Sequence, residues 1–203
     1  MNVTRILVTG FESYPGIAHN ISADVAQACE NFEFAEQNAK IKSVVLKTLW
    51  SHATRDITDE FETFDPEICL MLGIDPKNVG IRLETTAFNF QRGADVNDEI
   101  PSSPFIVKNG SGNLTTSVPT GEIFEALQAN KFPCSISNDP GRYLCNAIYY
   151  KAMSEAVAKH VDCQCLFLHL PLFLNEQTIS LKDTLEALQL IIATLVRAKA
   201  NRK

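Results

Sequence analysis

The sequence has no apolar run approaching the roughly 18 residues of a membrane-spanning helix, so no membrane partner is expected. It has no basic block either. Its net charge is −6, and its longest basic cluster is Arg197, Lys199, Arg202 and Lys203, which reads as the solvated end of a helix. That balance argues against a nucleic-acid partner held through phosphates. No Gly/Ser/Pro-rich or charge-dense linker divides the 203 residues, and no repeat or low-complexity tract is visible. Arg5 precedes a short apolar run that Thr9, Gly10 and Glu12 end at once, the pattern of a first strand rather than a secretory leader. Cys29, Cys69, Cys134, Cys145, Cys163 and Cys165 lack disulfide-scaffold spacing, so reduced thiols and a cytoplasmic setting are expected. Cys163 and Cys165 have only His160 beside them, short of the four spaced ligands of a structural metal site.

What is present is an ordinary globular balance, 45% hydrophobic and 21% charged, enough for one compact core. Residues 6–9 form a short apolar run closed by Gly10, the pattern of a buried strand leading into a loop. Ser22 is placed to cap a helix reaching Cys29, and Ser51 a second helix with Ile57, Phe61 and Phe64 as its apolar stripe. Residues 41–46 and 68–72 read as strands, the second buried on both faces, and 81–90 as a further extended segment. Residues 91–118 are polar and too long for a simple connection, which predicts a hairpin or a loop over the active site. Pro119 and Thr120 open a helix with Ile123, Ala126 and Leu127 inward. A strand at 134–137, a helix from about Gly141 to His160 and a strand at 165–170 follow. Ser180 and Asp183 resemble a capping box opening a last helix, with Leu181, Leu185, Leu188 and Ile192 periodic. This alternation predicts an α/β fold with a mostly parallel sheet and helices on both faces.

Three residues carry candidate chemistry. Cys145 falls in the first turn or so of a helix, after a strand and a Pro-Gly turn. Helix N-termini favour thiolate and offer N–H groups to an oxyanion. Position alone does not separate this from a small packed thiol. His169 closes an apolar strand and would face the carboxyl edge of the sheet, where open α/β folds bind ligands. There it would serve as acid and base, or else be a core histidine bonded to a carbonyl. Glu84 lies in an extended segment, where a buried carboxylate needs a partner such as an imidazolium; a surface strand glutamate is the plainer reading.

The ordered motifs add more. Ile6-Leu7-Val8-Thr9-Gly10-Phe11-Glu12-Ser13-Tyr14-Pro15-Gly16 and Asn20-Ile21-Ser22 open the chain. Leu83-Glu84 through Asn89, Pro119-Thr120 through Leu127, Gly141-Arg142-Tyr143-Leu144-Cys145-Asn146 and Phe167-Leu168-His169-Leu170-Pro171 follow. In this order they resemble the pyroglutamyl-peptidase I (pyrrolidone-carboxylate peptidase) family of cysteine peptidases. The nucleophile motif is the most specific of the six and the glutamate strand the least. The resemblance implies a single catalytic domain over 1–203, a three-layer α/β/α sandwich with a mostly parallel mixed sheet. It implies Cys145 as nucleophile, His169 as general acid/base and Glu84 as the group orienting the histidine. It implies a peptide with an N-terminal pyroglutamate as substrate, a thioester intermediate, and no metal or organic cofactor. Phe11 and Tyr14 match aromatic positions of the family's first loop, and the Ile74 backbone matches a segment that contacts the lactam ring.

The chain also departs from the family pattern. Tyr14 stands for phenylalanine, Ile74 for glutamine and Asp95 for an arginine common in bacterial members, while Asp139-Pro140 replaces a small residue. Residues 91–117 match poorly. Two alternatives follow: a cysteine amidohydrolase of the same fold with another acyl substrate, or a non-catalytic binding protein retaining the fold. A homo-oligomer is left open.

Overall fold

The computed structural model describes residues 3–14, 16–32, 39–159, 162–172 and 177–201. Pro15, His160, Arg202 and Lys203, named above, lie outside the described residues. The apolar runs of the sequence form one six-stranded sheet. Its strands are β1 (Thr4–Phe11), β2 (Ala39–Leu46), β3 (Ile68–Asp75), β4 (Ile81–Glu84), β7 (Cys134–Ser137) and β8 (Gln164–Pro171). They lie in the order β2-β1-β3-β8-β4-β7. Every pairing is parallel except β4 with β8, so β4 and β7 run against the other four. The mixed, mostly parallel sheet is the one expected.

Helices cover both faces. On one side lie α1 (Ile21–Ala28), α3 (Thr120–Ala129) and α5 (Leu181–Ala200), with Val25, Ile123, Leu127, Leu188 and Ile192 buried against Ile6, Val8, Leu70 and Leu168. On the other lie α2 (Trp50–Thr63) and α4 (Leu144–Ala158), with Ile57, Phe61, Ile148 and Tyr149 against Leu7, Met71 and Phe167. Alternate residues of β1, β3 and β8 feed the two clusters, as a pleated strand requires. Each buried Leu, Ile or Phe contributes about 1.5–3 kcal/mol of transfer free energy, so the central strands hold the layers together.

Local differences from the sequence reading have physical causes. Helix α1 is capped by Asn20, whose side chain accepts from the Ser22 amide; the Ser22 hydroxyl instead accepts from the Phe11 amide. Ser51 lies inside α2, whose first amide, on Trp50, donates to the distant Asp95 carboxylate. Helix α4 starts at Leu144 rather than near Gly141, because Gly141 has φ +81° and Tyr143 is extended. In α5 the Ser180 cap forms as expected, but Leu181 is 49% exposed. The segment after β4 makes a two-strand ladder of β5 (Thr86–Ala87) with β6 (Leu114–Thr115), and the polar stretch between them is loop.

Candidate active site

Strand register brings the candidate residues together. His169, near the carboxyl end of β8, lies between Gly73 of β3 and Arg82 of β4. It is 4% exposed, and its ring packs on Phe167 with centroids 4.8 Å apart. Nδ1 donates to Glu84 Oε1 at 2.7 Å. Glu84 is itself fully buried, at 0% exposure, so the surface-glutamate reading is excluded. The antiparallel turn of β4 makes this contact, setting Glu84 beside Phe167, two residues from His169.

Cys145 is the second residue of α4, half-buried against the cluster that holds Tyr143 and Phe167. Tyr143, at the N-cap position, makes no side-chain cap bond, so the first amides of the helix are capped by no side chain of their own. A methyl group on Gly73 would stand 3.0 Å from Cys145 Sγ and 2.8 Å from the Phe167 ring. The thiol therefore rests directly over β3 at the strand position next to His169, in space only a glycine leaves. Beside Cys145, the buried Asn146 amide donates to the carbonyls of Phe88 and Phe90 and accepts from the Phe88 amide. That ties the segment after β5 to the start of α4.

The electrostatics follow from these contacts. Burial alone would discharge His169, but its bonds to Cys145 and Glu84 outweigh burial and push its pKa up to about 9. Burial likewise opposes the Glu84 carboxylate, yet the His169 bond and charge, with Arg82, hold it below the ordinary carboxylate value. Such a site keeps an imidazolium against the Glu84 carboxylate, with the Cys145 sulfur as its other partner. It also provides amides at a helix start, the geometry for attack on a carbonyl by sulfur.

The remaining sequence candidates divide. Phe11 is 4% exposed and packs in the cluster that Cys145 joins. Tyr14 is part-buried, and burial, followed by the charge of Cys145, raises its pKa. Ile74 lies on β3 directly after Gly73 and is part-buried. Asp95 is buried at 6% exposure and accepts from the amides of Trp50, Asn97 and Glu99. Sequence reasoning missed Arg82. Its Nε donates to Glu84 Oε1 at 2.8 Å, and its Nη1 pairs with Asp75 Oδ2 at 2.7 Å. A signal was available: residues two apart on a strand share a face. Cys163 and Cys165 are buried thiols with sulfurs 3.9 Å apart, and no group of three or more potential ligands occurs among the described residues.

The family model described as pyroglutamyl peptidase matches residues 4–200. The chain belongs to the pyroglutamyl peptidase family. It is 27% identical to a pyrrolidone-carboxylate peptidase of Treponema denticola, over 98% of this chain and 96% of that one. It is 26% identical to pyrrolidone-carboxylate peptidase 1 of Caldanaerobacter subterraneus subsp. tengcongensis, over 97% of this chain and all of the relative. Among solved structures, the pyrrolidone carboxyl peptidase of Thermococcus litoralis superposes with a TM-score of 0.90 at 23% identity, covering 99% of this chain and 97% of that one. A variant of the Pyrococcus furiosus enzyme gives 0.89, also at 23% identity, covering 96% and 99%. The structural likeness extends the family's fold to this chain: a three-layer α/β/α sandwich on a mixed sheet.

Proposed function

We propose that this protein removes the N-terminal pyroglutamyl residue from peptides, with Cys145 as nucleophile, His169 as general acid/base and Glu84 orienting the imidazole. The observation that carries the reading is His169 held between Glu84 and Cys145, with Cys145 in the first turn of α4. In the first half-reaction the Cys145 sulfur bonds to the pyroglutamyl carbonyl carbon and the carbonyl electrons move to oxygen. The first-turn amides of α4 stabilise that oxyanion. As it collapses, the C–N bond breaks and His169 gives its proton to the leaving amine, which frees the shortened peptide. Water, losing a proton to His169, then attacks the thioester and releases pyroglutamate. Sulfur leaves as thiolate beside the regenerated imidazolium, so no cofactor is consumed.

Phe11, Tyr14 and the Ile74 backbone form the lactam pocket in this reading: two aromatic faces for a compact uncharged ring and peptide groups for its amide. The catalytic unit spans 1–203, and its six free thiols suit a reducing, cytoplasmic setting. The test is fluorophore release from a pyroglutamyl conjugate compared with alanyl and prolyl conjugates. We expect turnover of the first alone, abolished by Cys145→Ala. Folded protein that leaves the pyroglutamyl conjugate intact would sink the substrate assignment, and turnover surviving in Cys145→Ala would sink the nucleophile.

A further inference from the structure

Arg82 holds an uncommon position. Because β4 runs against β8, the residue opposite His169 belongs to a strand whose next inward position is Glu84. One arm of the guanidinium, Nε, donates to Glu84 Oε1 at 2.8 Å, the same oxygen that accepts from His169 Nδ1 at 2.7 Å. The other arm, Nη1, reaches Asp75 Oδ2 at 2.7 Å, at the end of β3 and one residue beyond Ile74. Nη2 lies 3.3 Å from His169 Nδ1. Asn78 completes the frame, donating to the His169 carbonyl at 3.0 Å and accepting from Arg82 Nη1 at 3.4 Å.

We propose that Arg82 is a positioning residue for the hydrolysis: a two-armed clamp that fixes Glu84 against His169 and ties that pair to the β3 end carrying Ile74 and Asp75. The proposal rests on the assigned roles of Cys145, His169 and Glu84 and deepens them. Two donors converging on one carboxylate oxygen set the carboxylate plane, and that plane sets the imidazole ring. A planar fork holds both carboxylates at once; an ammonium at the same place is a point charge and holds one. Removing Arg82 leaves a fully buried carboxylate with His169 as its remaining cationic partner.

The charge consequence has a definite sign. The groups facing the His169 pair are Cys145 from α4, Glu84 and Arg82 from β4, and Asp75 from β3. Asp139, in the turn after β7, senses Arg82, and Tyr149 of α4 senses Glu84 while donating to its backbone carbonyl. Taking a cation from this cluster makes every proton harder to release, whichever residue carries it. Taking the Asp75 anion away does the reverse.

The experiment compares Arg82→Met, Arg82→Lys and Asp75→Asn with the wild type. It measures kcat and KM on the pyroglutamyl conjugate across pH and, with no substrate present, the pH profile of Cys145 alkylation by iodoacetamide. For Arg82→Met we expect kcat to fall at least about tenfold with KM within about threefold. We expect the acid limb of both profiles to rise by about one pH unit. Arg82→Lys should return the limb while kcat stays low, because charge is restored and the fork is not. Asp75→Asn should move the limb the other way, by a fraction of a unit since both partners are partly exposed. Limbs of Arg82→Met that coincide with the wild type, or shifts of one sign in Arg82→Met and Asp75→Asn, would overturn the clamp. If Arg82→Met fails to fold, an unmoved limb in Asp75→Asn overturns it instead. Shifted alkylation without pyroglutamyl turnover by the wild type would leave the clamp standing and remove the substrate.

Discussion

Glu84 and His169 are a pair whose partnership the sequence offers only through family resemblance. An Ile-Arg-Leu-Glu strand and a Leu-His-Leu strand, 85 positions apart, say nothing of facing each other. Burial decides it: an ionised carboxylate at 0% exposure persists only against a cation. The contacts of His169, with Cys145 first and Glu84 next, leave a mark on stability. The His169 pKa is raised to about 9 from an unfolded value near 6.5. The folded state thus binds the proton more tightly. The stabilisation is complete below about pH 6.5 and is lost as pH rises through about 9. Its size is on the order of a few kcal/mol, shared with the lowered Glu84 pKa rather than added to it. Glu84→Gln keeps the shape and removes the charge. Thermal unfolding followed at pH 6, 8 and 9.5 should therefore show a wild-type advantage that shrinks with pH. Parallel curves for the two proteins across that range would contradict the raised imidazolium.

Whole elements were more legible than their ends. The strands at 6–9, 41–46, 68–72, 134–137 and 165–170 all lie inside observed strands, because short apolar or alternating runs in an α/β chain have few other uses. Helix ends were read from adjacent residues, and several of the real partners are distant in sequence. Asp95 is the plainest case. In the sequence it is one acidic residue in a polar stretch, with nothing beside it to name its partners. In the structure it caps α2 from 45 positions away through the Trp50 amide, and folds its own turn through the amides of Asn97 and Glu99. Trp50 in turn donates its indole N–H to the Gly93 carbonyl and stacks edge-on with Tyr143, the N-cap residue of α4. One carboxylate thereby joins the loop, α2 and the start of α4. Asp95→Ala should cost about 1–2 kcal/mol in denaturant unfolding, with Asp95→Asn milder because an acceptor oxygen remains. No loss in Asp95→Ala would mean that the three amides find other partners.

Across the whole molecule, the sheet separates the thiols by environment. Family resemblance singled out Cys145, but the reversal of β4 and β7, which builds the site's second wall, was not legible. Strand direction depends on how connections cross, and short strands carry no directional mark in their composition. The layers bury Cys29, Cys69, Cys163 and Cys165, and burial raises the Cys29 pKa to about 12. The bond to Cys165, with burial, pushes Cys163 well up; the bond to Cys163 lowers Cys165, but the contact with Cys69 and burial outweigh it and push Cys165 well up too. Cys134, on the edge strand β7, is part-exposed but faces no imidazole, and burial raises its pKa as well. Cys145 alone among the six has the His169 imidazolium as partner. A short pulse of iodoacetamide on native protein at pH 6, read by peptide mass spectrometry, should label Cys145 first. The other five should follow at least about tenfold more slowly, since thiolate population sets the rate. In urea the six should converge, because the difference belongs to the fold and not to the local sequence. If Cys134 is labelled as fast as Cys145 in the native protein, exposure and not the histidine governs reactivity, and the assignment of Cys145 as an activated nucleophile falls.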